Sequence, residues 1–105
     1  MIKKKLNTVT TIASGSASLS AVIDATNKKD FAVQVIYGAG SSTTSKLQAS
    51  NDGSHYADVT NSTVTLDATG GSVLYNVSDF EAAFCKVVVT GDAVSVSILL
   101  SAEAS

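Results

Sequence analysis

The stretch KLQASNDGSHYADV, residues 46–59, decides how this chain reads. Leu47 and Ala49 alternate with Lys46, Gln48 and Ser50, the period of two that lets a strand bury one face and wet the other. Asn51-Asp52-Gly53 then supplies three residues that tolerate the positive-φ geometry of a tight reversal. A second run, residues 54–59, carries Tyr56 into the returning strand. The spacing predicts a β-hairpin with Asn51, Asp52 and Gly53 as its turn-forming residues. A hairpin speaks for a fold; it carries no catalytic signature.

On the N-terminal side of the hairpin, Phe31, Val33, Val35 and Tyr37 fall on one face and Ala32, Gln34 and Ile36 on the other. This is the most apolar strand of the first half and belongs in the middle of a sheet. Before it, Leu19, Ala21 and Ile23 alternate in a strand that ends at Asp24 and the polar turn 26–30. A weaker strand over 8–13 has Val9 and Ile12 as its apolar members, and Gly15-Ser16 breaks it. Residues 38–45, GAGSSTTS, read as a flexible loop. They do not make a phosphate cradle, because neither a Lys-Ser/Thr pair nor a helical pattern follows.

On the C-terminal side come a short strand over 63–67 and a turn at 68–71. A strand over 72–77 then puts Val73, Tyr75 and Val77 on one face. Ser78 with Glu81 three residues on has the form of a helix N-cap, which allows at most one helical turn before residues 85–90. The last hairpin is expected to pair 86–90 with 94–100 across Gly91-Asp92-Ala93, with Val94, Val96, Ile98 and Leu100 facing one way and Ser95 and Ser97 the other. The pattern predicts an all-β, single-domain, two-layer antiparallel β-sandwich of about seven or eight strands, such as a jelly roll. Its shared core is Val33, Val35, Val87, Val96 and Ile98. Residues 1–7 read as a basic leader, 8–101 as the sandwich and 102–105 as a tail.

Composition agrees with this reading. The chain has 105 residues, 45% of them hydrophobic, which suits one domain with a real core. Its 16 serines and 11 threonines favour strands and polar turns, and the lack of proline leaves the turns to Gly, Asn and Asp. Net charge is −2, arginine is absent, and three of the seven lysines sit together as Lys3, Lys4 and Lys5, so no nucleic-acid partner is expected. The basic start imitates a signal peptide, but Asn7, Thr8, Thr10 and Thr11 are too polar for its apolar segment. No run of about 18 apolar residues predicts a membrane span. Cys85 is the one cysteine, so an internal disulfide is excluded, and its apolar neighbours predict a buried, inert thiol.

Ser50-Asn51-Asp52-Gly53-Ser54-His55-Tyr56-Ala57-Asp58-Val59 resembles the S-N-D-G-x-x-W-x-x-V hairpin of small β-sandwich proteins that bacteriophages carry as virion components, with Tyr56 where Trp is usual. It is similar, more distantly, to the S-x-D-G-x-x-W turn of discoidin-like, galactose-binding-like sandwiches. With the aromatic approach Phe80 and Phe84 and the closing strands, the resemblance covers roughly residues 31–101. It implies a structural protein of the virion, such as a capsid decoration or accessory head or tail subunit present in many copies. The alternative it leaves open is a carbohydrate-binding module.

Chemistry finds little support in the residues. Asn51, Asp52 and Asp58 with His55 offer two carboxylates, too few for the oxygen-rich shell of calcium, so no metal and no cofactor is expected. Asp52 and Asp58 lack the apolar setting that raises one carboxyl of a glycosidase pair. His55 reads as a solvated or rim residue. Asn61-Ser62-Thr63 and Asn76-Val77-Ser78 match the glycosylation pattern, as chance allows in so Ser/Thr-rich a chain. The expectation is a non-enzyme assembled in the bacterial cytoplasm into a virion. It would contact other virion subunits and copies of itself, with Lys3, Lys4 and Lys5 as a subunit-interaction arm. Glycan binding, if any, would be weak.

Overall fold

The computed structural model describes residues 7–26, 30–40 and 43–103. They form nine strands: β1 (Asn7–Gly15), β2 (Leu19–Asp24), β3 (Phe31–Tyr37), β4 (Thr44–Ser50), β5 (Ala57–Asp58), β6 (Val64–Thr65), β7 (Gly71–Val77), β8 (Phe84–Thr90) and β9 (Val96–Glu103). One sheet has the order β1-β9-β3-β7 and the other β2-β8-β4-β5, with β6 pairing β4. All pairs are antiparallel. With the two-residue β6 set aside, this is the strand order of a jelly roll.

The two strands with the clearest alternation each sit between two partners. β3 lies between β9 and β7, and β8 between β2 and β4. Val33, Val35, Val87, Val96 and Ile98 are at most 1% exposed, and they form the centre of the core as their phase predicts. Val33, Val35, Val96 and Ile98 come from the four-stranded sheet, while Val87, with Leu47, Ile23 and Val89, comes from the other.

Among the described residues four polar ones are also buried: Thr43, Ser45, Ser50 and Ser62. Among the described residues no buried side-chain nitrogen or oxygen lacks a partner, which is how a Ser/Thr-rich chain can close a core. Ser62 takes over a break in the ladder between β5 and β6. Its hydroxyl accepts from the Leu47 N–H at 3.1 Å and lies 2.7 Å from the Val59 carbonyl. The Tyr75 hydroxyl crosses between layers, 3.0 Å from both the Ser45 hydroxyl and the Ser62 carbonyl.

Some expectations are corrected. The last hairpin does not exist, because β8 and β9 lie in different sheets. Residues 91–95 cross between layers, which lets Val87 and Val89 face Val96 and Ile98 across the core instead of beside them. Val94, in phase with the inward residues, precedes β9 and is 70% exposed.

At Ser78, where the sequence allows at most one helical turn, the chain forms none, within that bound. Asp79 has φ 53, outside the right-handed helical region, its N–H donates to Asp30 Oδ1 at 3.1 Å, and Phe80 packs edge-on against Phe31. The glycine-rich 38–45 stretch is not a free loop where described. Gly38 N–H donates to Ser95 O, Val94 N–H to Ala39 O and Gly40 N–H to Ala68 O, while Thr44 and Ser45 belong to β4.

The ends differ in detail. β9 continues through Glu103, into the segment read as a tail. β1 begins at Asn7 and pairs with β9, with a bulge between Thr11 and Ala13. The bulge lets Ile12 and Ala13, adjacent in sequence, both pack on the core, which is why this strand's alternation reads weakly. Lys3, Lys4 and Lys5 lie outside the described residues.

Candidate functional site

β4 ends at Ser50, and the chain takes six residues to return through β5, where Gln48 opposes Asp58 and Ala49 opposes Ala57. The connection is organised by one carboxylate. Asp52 Oδ1 accepts from the Ser54 and His55 N–H groups at 2.8 Å each and from the Ser50 hydroxyl at 2.9 Å. Asp52 Oδ2 faces His55 Nδ1 at 2.8 Å. The Ser50 oxygen in turn accepts from the N–H groups of Asp52 and Gly53. Gly53 has φ 76, and a Cβ there would stand 3.3 Å from the Phe84 ring. Asn51 Oδ1 accepts from Ala83 N–H, tying the loop to the approach of β8.

These bonds fix the chemistry of the loop. The His55 and Ser54 N–H groups, then the His55 ring and the Ser50 hydroxyl, hold the Asp52 carboxyl far below the usual carboxylate range. A carboxylate so saturated stays ionised and has no proton to donate as an acid. Asp58 has other partners: Gln48 Nε2 at 2.8 Å and Lys46 Nζ at 3.1 Å, which lower its pKa in that order. The two carboxylates therefore serve separate sites. The His55 side chain is 90% exposed to solvent. Among the described residues no three His, Cys, Asp or Glu side chains converge as a metal site. Cys85 is fully buried, and burial pushes its thiol up to about 11.

Beside the loop, the outer face of the five-stranded sheet carries a polar strip. Asp58, Gln48 and Lys86 stand in one cross-strand row, with Lys46 on the neighbouring row. Lys86 Nζ lies 4.9 Å from the centre of the half-buried Tyr56 ring, a cation–π contact. Lys46 and Gln48 are two apart on one strand, so their common face was readable. Lys86 was not, because it reaches Tyr56 only through the β4–β8 register.

No protein-family model and no curated protein matches the chain. Solved structures are similar to it in fold. The C-terminal domain of a chitobiase from Bacteroides fragilis is 15% identical, with a TM-score of 0.51 over 83% of this chain and 64% of that one. A CBM4 structure, of the carbohydrate-binding class, is 12% identical, with a TM-score of 0.50 over 93% and 71%. PirA is 8% identical, with a TM-score of 0.51 over 99% and 96%. At these identities the likeness is one of β-sandwich architecture.

Proposed function

We propose that this chain is a non-catalytic structural subunit of a bacteriophage virion, a capsid decoration or accessory head or tail protein present in many copies. One observation carries the reading: the S-N-D-G hairpin is a self-locked loop. Asp52 and Ser50 direct their hydrogen bonds into the loop itself. Such a loop offers a neighbour a preformed shape at little ordering cost, which suits protein contact better than chemistry. The resemblance of residues 50–59 to virion hairpins points the same way. The buried Cys85 thiol fits assembly in the host cytoplasm.

Lys3, Lys4 and Lys5 precede β1 and serve in this reading as an arm toward an acidic neighbouring subunit. The test is protein composition of purified phage particles, with wild type and a chain lacking residues 2–7. Wild type should be present in many copies, and the truncated chain, still folded, should be depleted. Absence of the wild-type chain from particles would end the reading; full occupancy by the truncated chain would end the arm.

A second reading, weak glycan binding, is favoured by the strip of Tyr56, Lys86, Gln48, Lys46 and Asp58, where an aromatic ring adjoins hydrogen-bonding groups on the outer sheet face. Titration with mono- and oligosaccharides, followed by the backbone amide resonances of Lys46, Gln48, Asp58 and Lys86, decides it. Saturable shifts abolished by Tyr56→Ala support it, and no shift at millimolar sugar rejects it.

A further inference from the structure

The two sheets have four lateral edges, and three of them carry a device that discourages pairing with another chain. β1 has its bulge between Thr11 and Ala13. β2 ends in the charged Asp24. On the fourth strand of the other sheet, β5 and β6 are two residues each, and β5 contains Asp58. β7 has none of these. It is seven residues long, GSVLYNV, with no charge, proline or bulge, and its ladder to β3 is unbroken from Val77 opposite Phe31 to Gly71 opposite Tyr37. None of its seven residues is buried.

We infer that β7 is a docking edge for β7 of a second copy of this chain, joined antiparallel about a two-fold axis into one continuous eight-stranded sheet. A second copy fits this edge for three reasons. Antiparallel addition satisfies the main-chain groups on the free side of the strand, whatever the side chains. Neither strand carries a charge, so self-pairing sets no like charges opposite each other. The midpoint of the strand is Leu74, 56% exposed on the outer face beside Ile36, 43% exposed. A two-fold axis there sets Leu74 against Leu74 of the second copy and Ser72 against its Asn76. Two exposed leucines then cover each other, and the half-buried Val73, Tyr75 and Val77 gain cover on the inner side. An isologous contact of this kind closes as a dimer. The inference rests on the edge alone and not on the virion reading, so either can fail without the other.

The experiment is sedimentation equilibrium of the full chain up to about 1 mM, a concentration that detects even millimolar dissociation constants, with hydrogen exchange read at residues 71–77 across the same range. The expected result is a monomer–dimer equilibrium in which exchange at β7 slows as dimer forms. Leu74→Lys places like charges opposite each other and should weaken the dimer roughly fivefold or more. Because Leu74 is exposed, the melting curve of that variant should match wild type. If it does not, Ser72→Lys combined with Asn76→Lys, both at exposed positions of the same face, sets each introduced lysine against the other one of the second copy and makes the same test. A chain that stays monomeric at about 1 mM, a dimer whose β7 exchange is unchanged, or an open-ended polymer overturns the inference.

Discussion

Asn51-Asp52-Gly53 and Gly91-Asp92-Ala93 are built from nearly the same residues, yet one returns the chain to its own sheet and the other carries it across the core. The first is held by bonds that span two or three residues, from Asp52 and Ser50. The second is held from far away. Gly91 N–H donates to the Ser18 hydroxyl, 73 residues distant, and Asp92 N–H to the Thr43 hydroxyl, 49 residues distant. Ala93 O accepts from Ala17 N–H, and Ala93 itself is buried under Gly40. A turn motif thus predicts a reversal only where the turn also supplies its own anchors. Elsewhere the partners of the flanking strands decide where the chain goes.

The sharpest test of the distant anchoring is Gly40→Val. A Cβ at Gly40 would meet the backbone of Ala93 at 2.8 Å, and backbone cannot rotate away. The loss should be about 3 kcal/mol on denaturant unfolding. A loss near zero would mean that the crossover is not pinned there. Val96→Ala, just past the crossover and 1% exposed, should cost about 2 kcal/mol. A loss under about 0.3 kcal/mol would show that the strand does not face the core.

On the local side of the comparison, Gly53→Val combines positive φ with the close Phe84 ring and should cost about 1–2 kcal/mol. It should lower the melting temperature without changing the fold of the crossover; an unchanged melting curve would show that the loop is held without that φ. The smallest effect is on pH. The Asp52 carboxyl has a depressed pKa in the folded state, so its stabilisation is fully present above the unfolded value, about 3.9. It is lost progressively as pH falls from there through the lower folded value. The movement of the Ser54 amide resonance that follows protonation of this carboxylate should therefore come only in acid stronger than an ordinary carboxylate requires. Asp52→Asn should remove that acid transition. Movement centred near an ordinary carboxylate pKa would show that the bonds do not persist in solution.

The strands were legible because burial of one face imprints period two wherever it occurs, and β3 carries it without interruption. β1 was less legible, since its bulge brings Ile12 and Ala13 to the core together. In the candidate site, Asn51, Asp52, Gly53 and His55 could be read from order along the chain. The approach of Lys86 to Tyr56 could not, nor could Ser62 standing in for a strand, because both depend on which strands become neighbours.

By itself the sequence determined the all-β class, the five residues at the centre of the core, and a reversal at Asn51-Asp52-Gly53, since each follows from side-chain period or from turn-forming residues within a few positions. Only the tertiary structure decided that β8 and β9 part into opposite sheets, that the GAG stretch is clamped over residues 93–95, and that β7 is left as an open edge. Strand partnership is a competition among all the strands for shared burial, and it is settled by contacts dozens of residues apart that no local pattern records.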